Sequence, residues 1–105
     1  MTKVDDIINN NKNIAIWAAG TLTSQLISQT NLAKGDIKAI FDNDSKKDGL
    51  KMENITINKP TLSSDYFKER NINAIVIGSW SSQDEIYDSL KFLEDDGIKV
   101  FRLFE

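Results

Sequence analysis

The stretch from Asn13 to Ser28 constrains the fold more than any other, because its residue pattern changes period across one short turn. Ile14-Ala15-Ile16-Trp17 is an unbroken apolar run with the length of a strand buried on both faces. Ala18-Ala19-Gly20-Thr21 follows, four small residues where the backbone must turn tightly. From there Leu22, Leu26 and Ile27 fall on one face of a helix. Strand, small-residue turn and helix form the first half of a βαβ unit, which needs further parallel strands beside it.

The remaining sequence supplies them. After a turn at Lys34-Gly35-Asp36, Ile37 to Phe41 reads as the second strand, ending on Asp42-Asn43-Asp44 and then a polar loop, Ser45 to Gly49. Ile55-Thr56-Ile57 is a short alternating strand, and Pro60 close behind it suits a sheet edge. Thr61 to Arg70 predicts a brief helix with Leu62, Tyr66 and Phe67 inward and Ser63 or Ser64 as its cap. Ala74 to Ile77 is the most strand-like run and ends on Gly78-Ser79-Trp80-Ser81. Ser82-Gln83-Asp84-Glu85 spells a capping box for a helix through Ile86, Leu90 and Leu93 that stops before Gly97. Ile98 to Phe104 is the last strand, and at the other end Lys3 to Asn10 predicts a short helix. That helix has Thr2 as cap, Val4, Ile7 and Ile8 on one face, and Asn9-Asn10-Asn11 as its stop.

Such alternation predicts an α/β fold, one domain over residues 1–105, with a parallel sheet of order 3-2-1-4-5 and helices on both faces. The switch point falls between the Ile14 and Ala74 strands, and ligands of such sheets lie outside the carboxyl ends there. Three segments converge on that crevice: Ala18 to Thr21, Asp42 to Asp44, and Ser79 to Ser81.

Composition narrows the chemistry. At 105 residues the chain is long enough for an independent core. A formal charge of -3 leaves no basic stripe for neutralising phosphates, so no nucleic-acid partner is expected. With no Cys and no His, thiolate and imidazole chemistry are absent, and no metal is expected. No apolar segment reaches the length of a membrane span or a signal core, which predicts a cytoplasmic protein with no membrane partner.

A dinucleotide fingerprint has Gly-x-Gly-x-x-Gly and then an acid about 20 residues on. Here the register gives Ala18, Gly20 and Thr23, so only the middle glycine is present, the one that lets backbone approach a pyrophosphate. Asp42 stands 22 residues after Gly20, where a ribose-binding acid belongs. An acid there favours a free ribose 2′-hydroxyl over a 2′-phosphate, unless Lys46 and Lys47 bend back and weaken the repulsion. The plainer reading is a tight turn followed by a solvated acidic loop.

Ile14-Ala-Ile-Trp-Ala-Ala-Gly-Thr, Ile40-Phe-Asp-Asn-Asp-Ser-Lys-Lys-Asp-Gly, Pro60 and Ile75-Val-Ile-Gly-Ser-Trp-Ser-Ser-Gln-Asp-Glu-Ile together resemble the small Rossmann-like domains of sugar-nucleotide metabolism. The pattern is most similar to the C-terminal domain of sugar C-methyltransferases. It is also similar to CapD-like nucleotide-sugar dehydratases and to the N-terminal parts of some sugar acyltransferases. The resemblance spans about Asn13 to Leu103 and implies contact with a nucleotide or nucleotide sugar beside a catalytic domain. It matches Gly20 and Thr21 to the turn, Asp42 to the ribose acid, and Ser79 and Trp80 to the crevice wall. Ala18 departs from it, because such turns usually have Gly there.

Two enzyme patterns are also present. Ile40-Phe41-Asp42-Asn43-Asp44 has the apolar-run-then-Asp-x-Asp form of Mg-dependent phosphatases, with Ser79, Lys91 and the pair Asp95-Asp96 as its further parts. Lys91, Asp95 and Asp96 share one helix, so no separate strand brings that acid pair to the crevice. Tyr87-Asp88-Ser89-Leu90-Lys91 spells the Tyr-x-x-x-Lys of short-chain dehydrogenases, but residues four apart on a helix are more often surface neighbours. The expectation is therefore a non-catalytic module for a nucleotide ligand such as NAD or a nucleotide sugar. Its expected site is Ala19, Gly20, Thr21, Asp42, Asn43, Asp44, Ser79 and Trp80, and it serves a catalytic partner or forms a homodimer. An interaction or dimerisation domain with an empty crevice is the alternative, and a small phosphatase the third reading.

Overall fold

The computed structural model describes residues 6–7, 9–29 and 37–103. Among the described residues, strands β1 (Ile14–Trp17), β2 (Ile37–Phe41), β3 (Lys51–Met52), β4 (Ile55–Asn58), β5 (Ala74–Ile77) and β6 (Lys99–Arg102) alternate, after β1, with three α-helices. These are α1 (Thr21–Gln29), α2 (Ser64–Glu69) and α3 (Gln83–Leu90), and short 3-10 turns cover Ser45–Lys47 and Lys91–Asp96. The sheet order is β3-β4-β2-β1-β5-β6, parallel except for the β3–β4 pair. Without β3, that is the order expected from the sequence.

Both faces of the central strands are buried, because successive side chains point to opposite sides. Ile14, Ile16, Ala74 and Val76 pack on one side with Leu22 and Ile27 of α1. Ala15, Trp17, Ile75 and Ile77 pack on the other with Phe67 of α2 and Leu90 of α3. Phe41 sits among aromatic rings on that second side, with ring centroids 5.3 Å from Phe67, 6.0 Å from Tyr66 and 6.1 Å from Trp17. Phe41 reaches that side because β2 has one extra residue. Ile14 pairs with Ile37 but Ala15 pairs with Ala39, so Lys38 bulges and the alternation of β2 shifts by one.

Four expectations need correction. The Ile55 strand is not an edge, since Lys51–Met52 adds a hairpin strand outside it. The hairpin turns on Glu53 and Asn54, whose φ angles of 50° and 67° are the left-handed values a two-residue hairpin turn requires. The capping box does not form: Ser82 precedes α3 without a side-chain cap bond, and its own N–H donates instead to Ser79 Oγ at 3.3 Å. Leu62 is 47% exposed rather than part of the α2 face. After Leu90 the helix tightens into a 3-10 turn before Gly97, whose φ of 85° ends it. Ser63 caps α2 as expected, accepting from Tyr66 N–H at 3.3 Å.

Residues 6–7 and 9–10 are helical, and the Asn10 and Asn11 side chains donate to the carbonyls of Asp6 and Ile7. The expected cap Thr2, the apolar residues Val4 and Ile8 and the turn Lys34-Gly35-Asp36 lie outside the described residues, as does the side chain of Leu26. Among the described residues no helix is long and apolar enough to cross a membrane.

Candidate functional site

The carboxyl ends of β1, β2 and β5 meet at the switch point. Hydrogen bonds continue the sheet past the strands, with Ala18 N–H donating to Phe41 O at 2.7 Å and Gly78 N–H to Trp17 O at 2.9 Å. The β1–α1 turn then departs from β geometry at Ala18, whose φ is 88°. This is the position where the fingerprint has its first glycine. An alanine there holds a backbone conformation that glycine adopts without strain. Gly20 has no left-handed φ, and a Cβ built on it meets no heavy atom within 4 Å.

Thr23 takes the place of the third glycine and plays a different part. It is fully buried, and its hydroxyl donates to Ala18 O while lying 3.3 Å from Gly78 O. One side chain from the first turn of α1 thus joins the ends of β1 and β5. Gly78 has to be glycine for this to work, because a Cβ there would stand 2.2 Å from Thr23 Oγ1 and 3.2 Å from Ile16 Cγ2. Neither residue belongs to the expected site. The signal for Gly78 was a glycine at the very end of a buried strand, which marks a close approach.

Asp42 is turned inward toward its own chain. Its Oδ2 accepts from Ala19 N–H and its Oδ1 from Asp44 N–H, both at 2.8 Å. Asp44 in turn accepts from Lys46 N–H at 3.0 Å and caps the 3-10 turn, which brings Lys47 back over the crevice. The Lys47 ammonium donates to Ala19 O at 3.1 Å and stands 3.7 Å from Asp42 Oδ2. Partial burial acts to raise the Asp42 pKa, but the two amides and the ammonium outweigh it and hold the carboxyl below its ordinary value. A general base needs the opposite shift.

The expected site residues therefore divide. Ala19, Gly20, Asp42 and Asp44 form one connected cluster at the crevice, joined by Lys47, which is not among the expected residues. Thr21 begins α1, and its side chain lies outside the described residues. Asn43 is exposed in the Asp42–Asp44 loop. Ser79 is half-buried beside the start of α3, whereas Trp80 is 70% exposed. An open groove of about 730 Å³ lies elsewhere, between residues 6–11 and β6, lined by Asp6, Ile7, Asn10, Asn11, Lys99 and Phe101.

The enzyme patterns are engaged in other contacts. Tyr87 OH donates to Glu94 Oε1 at 2.7 Å, and that bond raises the Tyr87 pKa, away from what a catalytic base needs. Lys91 pairs with Asp88 at 3.7 Å. Asp96 accepts from Ser64 and pairs with Lys68 at 3.7 Å, both on α2. Among the described residues no group of three or more Asp or Glu is gathered to hold a metal ion.

A family model described as the C-methyltransferase C-terminal domain matches residues 1–103. No curated protein matches the chain. Among solved structures, UDP-D-quinovosamine 4-dehydrogenase from Vibrio fischeri is 26% identical with a TM-score of 0.66, over 88% of this chain and 77% of that one. RSP in complex with β-NADH is 23% identical with a TM-score of 0.69, over 96% of this chain and 49% of that one. RSP, a Rex-family repressor, is also similar in complex with β-NAD+ and operator DNA, at 20% identity and a TM-score of 0.66. The chain spans about half the length of RSP, and at these identities that likeness is one of fold.

Proposed function

The chain belongs to the C-methyltransferase C-terminal domain family, and from that premise we propose that it is a non-catalytic accessory module of sugar-nucleotide and polysaccharide metabolism, holding a nucleotide or nucleotide sugar at its switch point. The opening at Gly20 carries this reading. Apart from Gly20 and its two chain neighbours, no heavy atom lies within 4 Å of where a Cβ would stand, and the nine-residue helix α1 starts at the next residue. The first N–H groups of a helix lack intrahelical acceptors and favour an anion, so a phosphate is able to approach that backbone closely. Asp42 stands beside it with further lone pairs on both oxygens, able to accept from ribose hydroxyls. Trp80 offers an exposed ring to a base or sugar.

Names of similar structures support the ligand class, since one is a UDP-sugar dehydrogenase and another was solved with NADH. Catalysis falls to a partner, because the Asp42 carboxyl, despite partial burial, is held below its ordinary pKa by the Ala19 and Asp44 amides and Lys47, and the Tyr87 hydroxyl is bonded to Glu94. The net charge of -3 keeps nucleic acid out of the proposal. A docking or dimerisation role with an empty crevice is the second reading, favoured by the exposure of Trp80 and Leu62.

A thermal-shift panel of NAD, NADP, AMP and UDP- or dTDP-sugars separates the two. A ligand at 100 times its Kd adds about 2.7 kcal/mol, a rise of roughly 10–20 °C for a domain of this size. Gly20→Val should fold normally, having open space and no left-handed φ, and should lose that shift. A flat panel favours docking, and a shift retained in folded Gly20→Val means the ligand binds elsewhere.

A further inference from the structure

We propose that Lys47 reads the ribose end of the ligand and makes this site tolerant of a 2′-phosphate, so that NADPH binds about as tightly as NADH. The inference rests on the nucleotide reading above and concerns a residue that neither the turn pattern nor the ribose acid includes. A carboxylate standing alone at the end of β2 accepts from ribose hydroxyls and repels a phosphate. Asp42 does not stand alone. The turn Ser45–Lys47, capped by Asp44, carries Lys47 back across the crevice to the β1–α1 turn. There its ammonium is fixed by Ala19 O at 3.1 Å and by Asp42 Oδ2 at 3.7 Å.

Two consequences follow from that placement. The ammonium offsets the charge of Asp42, which lessens the repulsion a 2′-phosphate would meet there, and Asp44, the other acid of the cluster, is turned to the Lys46 N–H. The pair is also asymmetric toward solvent, with the Lys47 side chain 38% exposed and that of Asp42 17% exposed. Lys47 is thus the more exposed partner of the pair. An ammonium has three N–H donors and Ala19 O takes one, so Lys47 retains donors for a ligand oxygen. The Asp42 carboxylate, held by two amides, keeps its charge and keeps Lys47 in position.

The test is calorimetric titration of the full chain with NADH and NADPH, on the wild type, Lys47→Met and Lys47→Arg, each checked by a thermal melt. The wild type should bind the two with Kd values within threefold of each other. Lys47→Met should raise the NADPH-to-NADH Kd ratio at least tenfold, while Lys47→Arg, which keeps the charge, should retain the near-equal pair. A wild-type preference for NADH of tenfold or more overturns the inference and leaves the nucleotide reading intact, as does a Kd ratio that Lys47→Met does not move. Binding of neither dinucleotide to the wild type overturns the inference too, and with nucleotide sugars also silent it removes the nucleotide reading itself.

Discussion

Replacing Gly78 by alanine probes the junction on which the crevice is built. The added Cβ would stand 2.2 Å from Thr23 Oγ1 and 3.2 Å from Ile16 Cγ2, closer than atoms pack without movement. Thr23 is fully buried, and Ile16 lies on a strand buried on both faces, so neither side chain has free space to enter. Overpacking of this kind costs about 1–3 kcal/mol. Moving the Thr23 hydroxyl away from Ala18 O also gives up a partly buried hydrogen bond, worth about 1 kcal/mol. Together they amount to roughly 2–4 kcal/mol, or a fall in Tm of about 10–25 °C for a domain of this length.

The diagnostic part is the companion Thr23→Ala. Alone it should cost about 1–3 kcal/mol through the lost hydroxyl. Combined with Gly78→Ala it should cost well under the sum, because the atom that clashes at 2.2 Å is gone and only contacts of 3.2 and 3.4 Å remain. Urea denaturation of the four proteins gives the coupling directly, expected at 1 kcal/mol or more. Additivity within about 0.3 kcal/mol would show that Thr23 and Gly78 do not share that space.

Other outcomes follow from the same geometry. Ala18→Gly should stabilise by about 0.5–1 kcal/mol, because relief of a left-handed alanine exceeds the added unfolded-state entropy; a loss of stability in urea refutes it. Asp42 has a folded pKa below its ordinary 3.8, so its contribution is fully present above that value and is lost as pH falls through the lowered one. Asp42→Asn should accordingly be less stable at pH 7 by about 1–2 kcal/mol, with the gap to wild type closing as pH falls below the ordinary carboxylate range in acid titrations followed by circular dichroism. Phe67→Ala, in the aromatic cluster and fully buried, should cost about 3–5 kcal/mol by chemical denaturation, and a cost under about 1.5 would contradict the packing described.

What the sequence determined by itself is whatever short-range pattern encodes. Ile14–Trp17 and Ala74–Ile77 are legible as buried central strands because four consecutive apolar residues leave no polar face to solvate. Their alternation with helices dictates the parallel order of five strands and puts the switch point between them. Ser63 is legible as a cap because that bond spans three residues. Strand β3 is not legible: two residues have no period, and they are a strand only because Ile55 and Thr56 pair with them across a turn lacking glycine. Ser82 and Glu85 have the letters of a capping box, but Ser79, held at the end of β5, takes the Ser82 N–H.

The site depended on tertiary structure for the same reason. Sequence placed Gly20, Asp42 and Ser79 at strand ends, yet the bonds that give Asp42 its charge state and Lys47 its position span 23 and 28 residues. The contact of Thr23 with Gly78 O spans 55. A substitution of threonine for glycine reads in sequence as the loss of a motif, and only the neighbouring strand end converts it into a junction. Local propensity and period act within about one turn of chain, whereas burial and hydrogen-bond partnership are set by whatever the fold brings alongside.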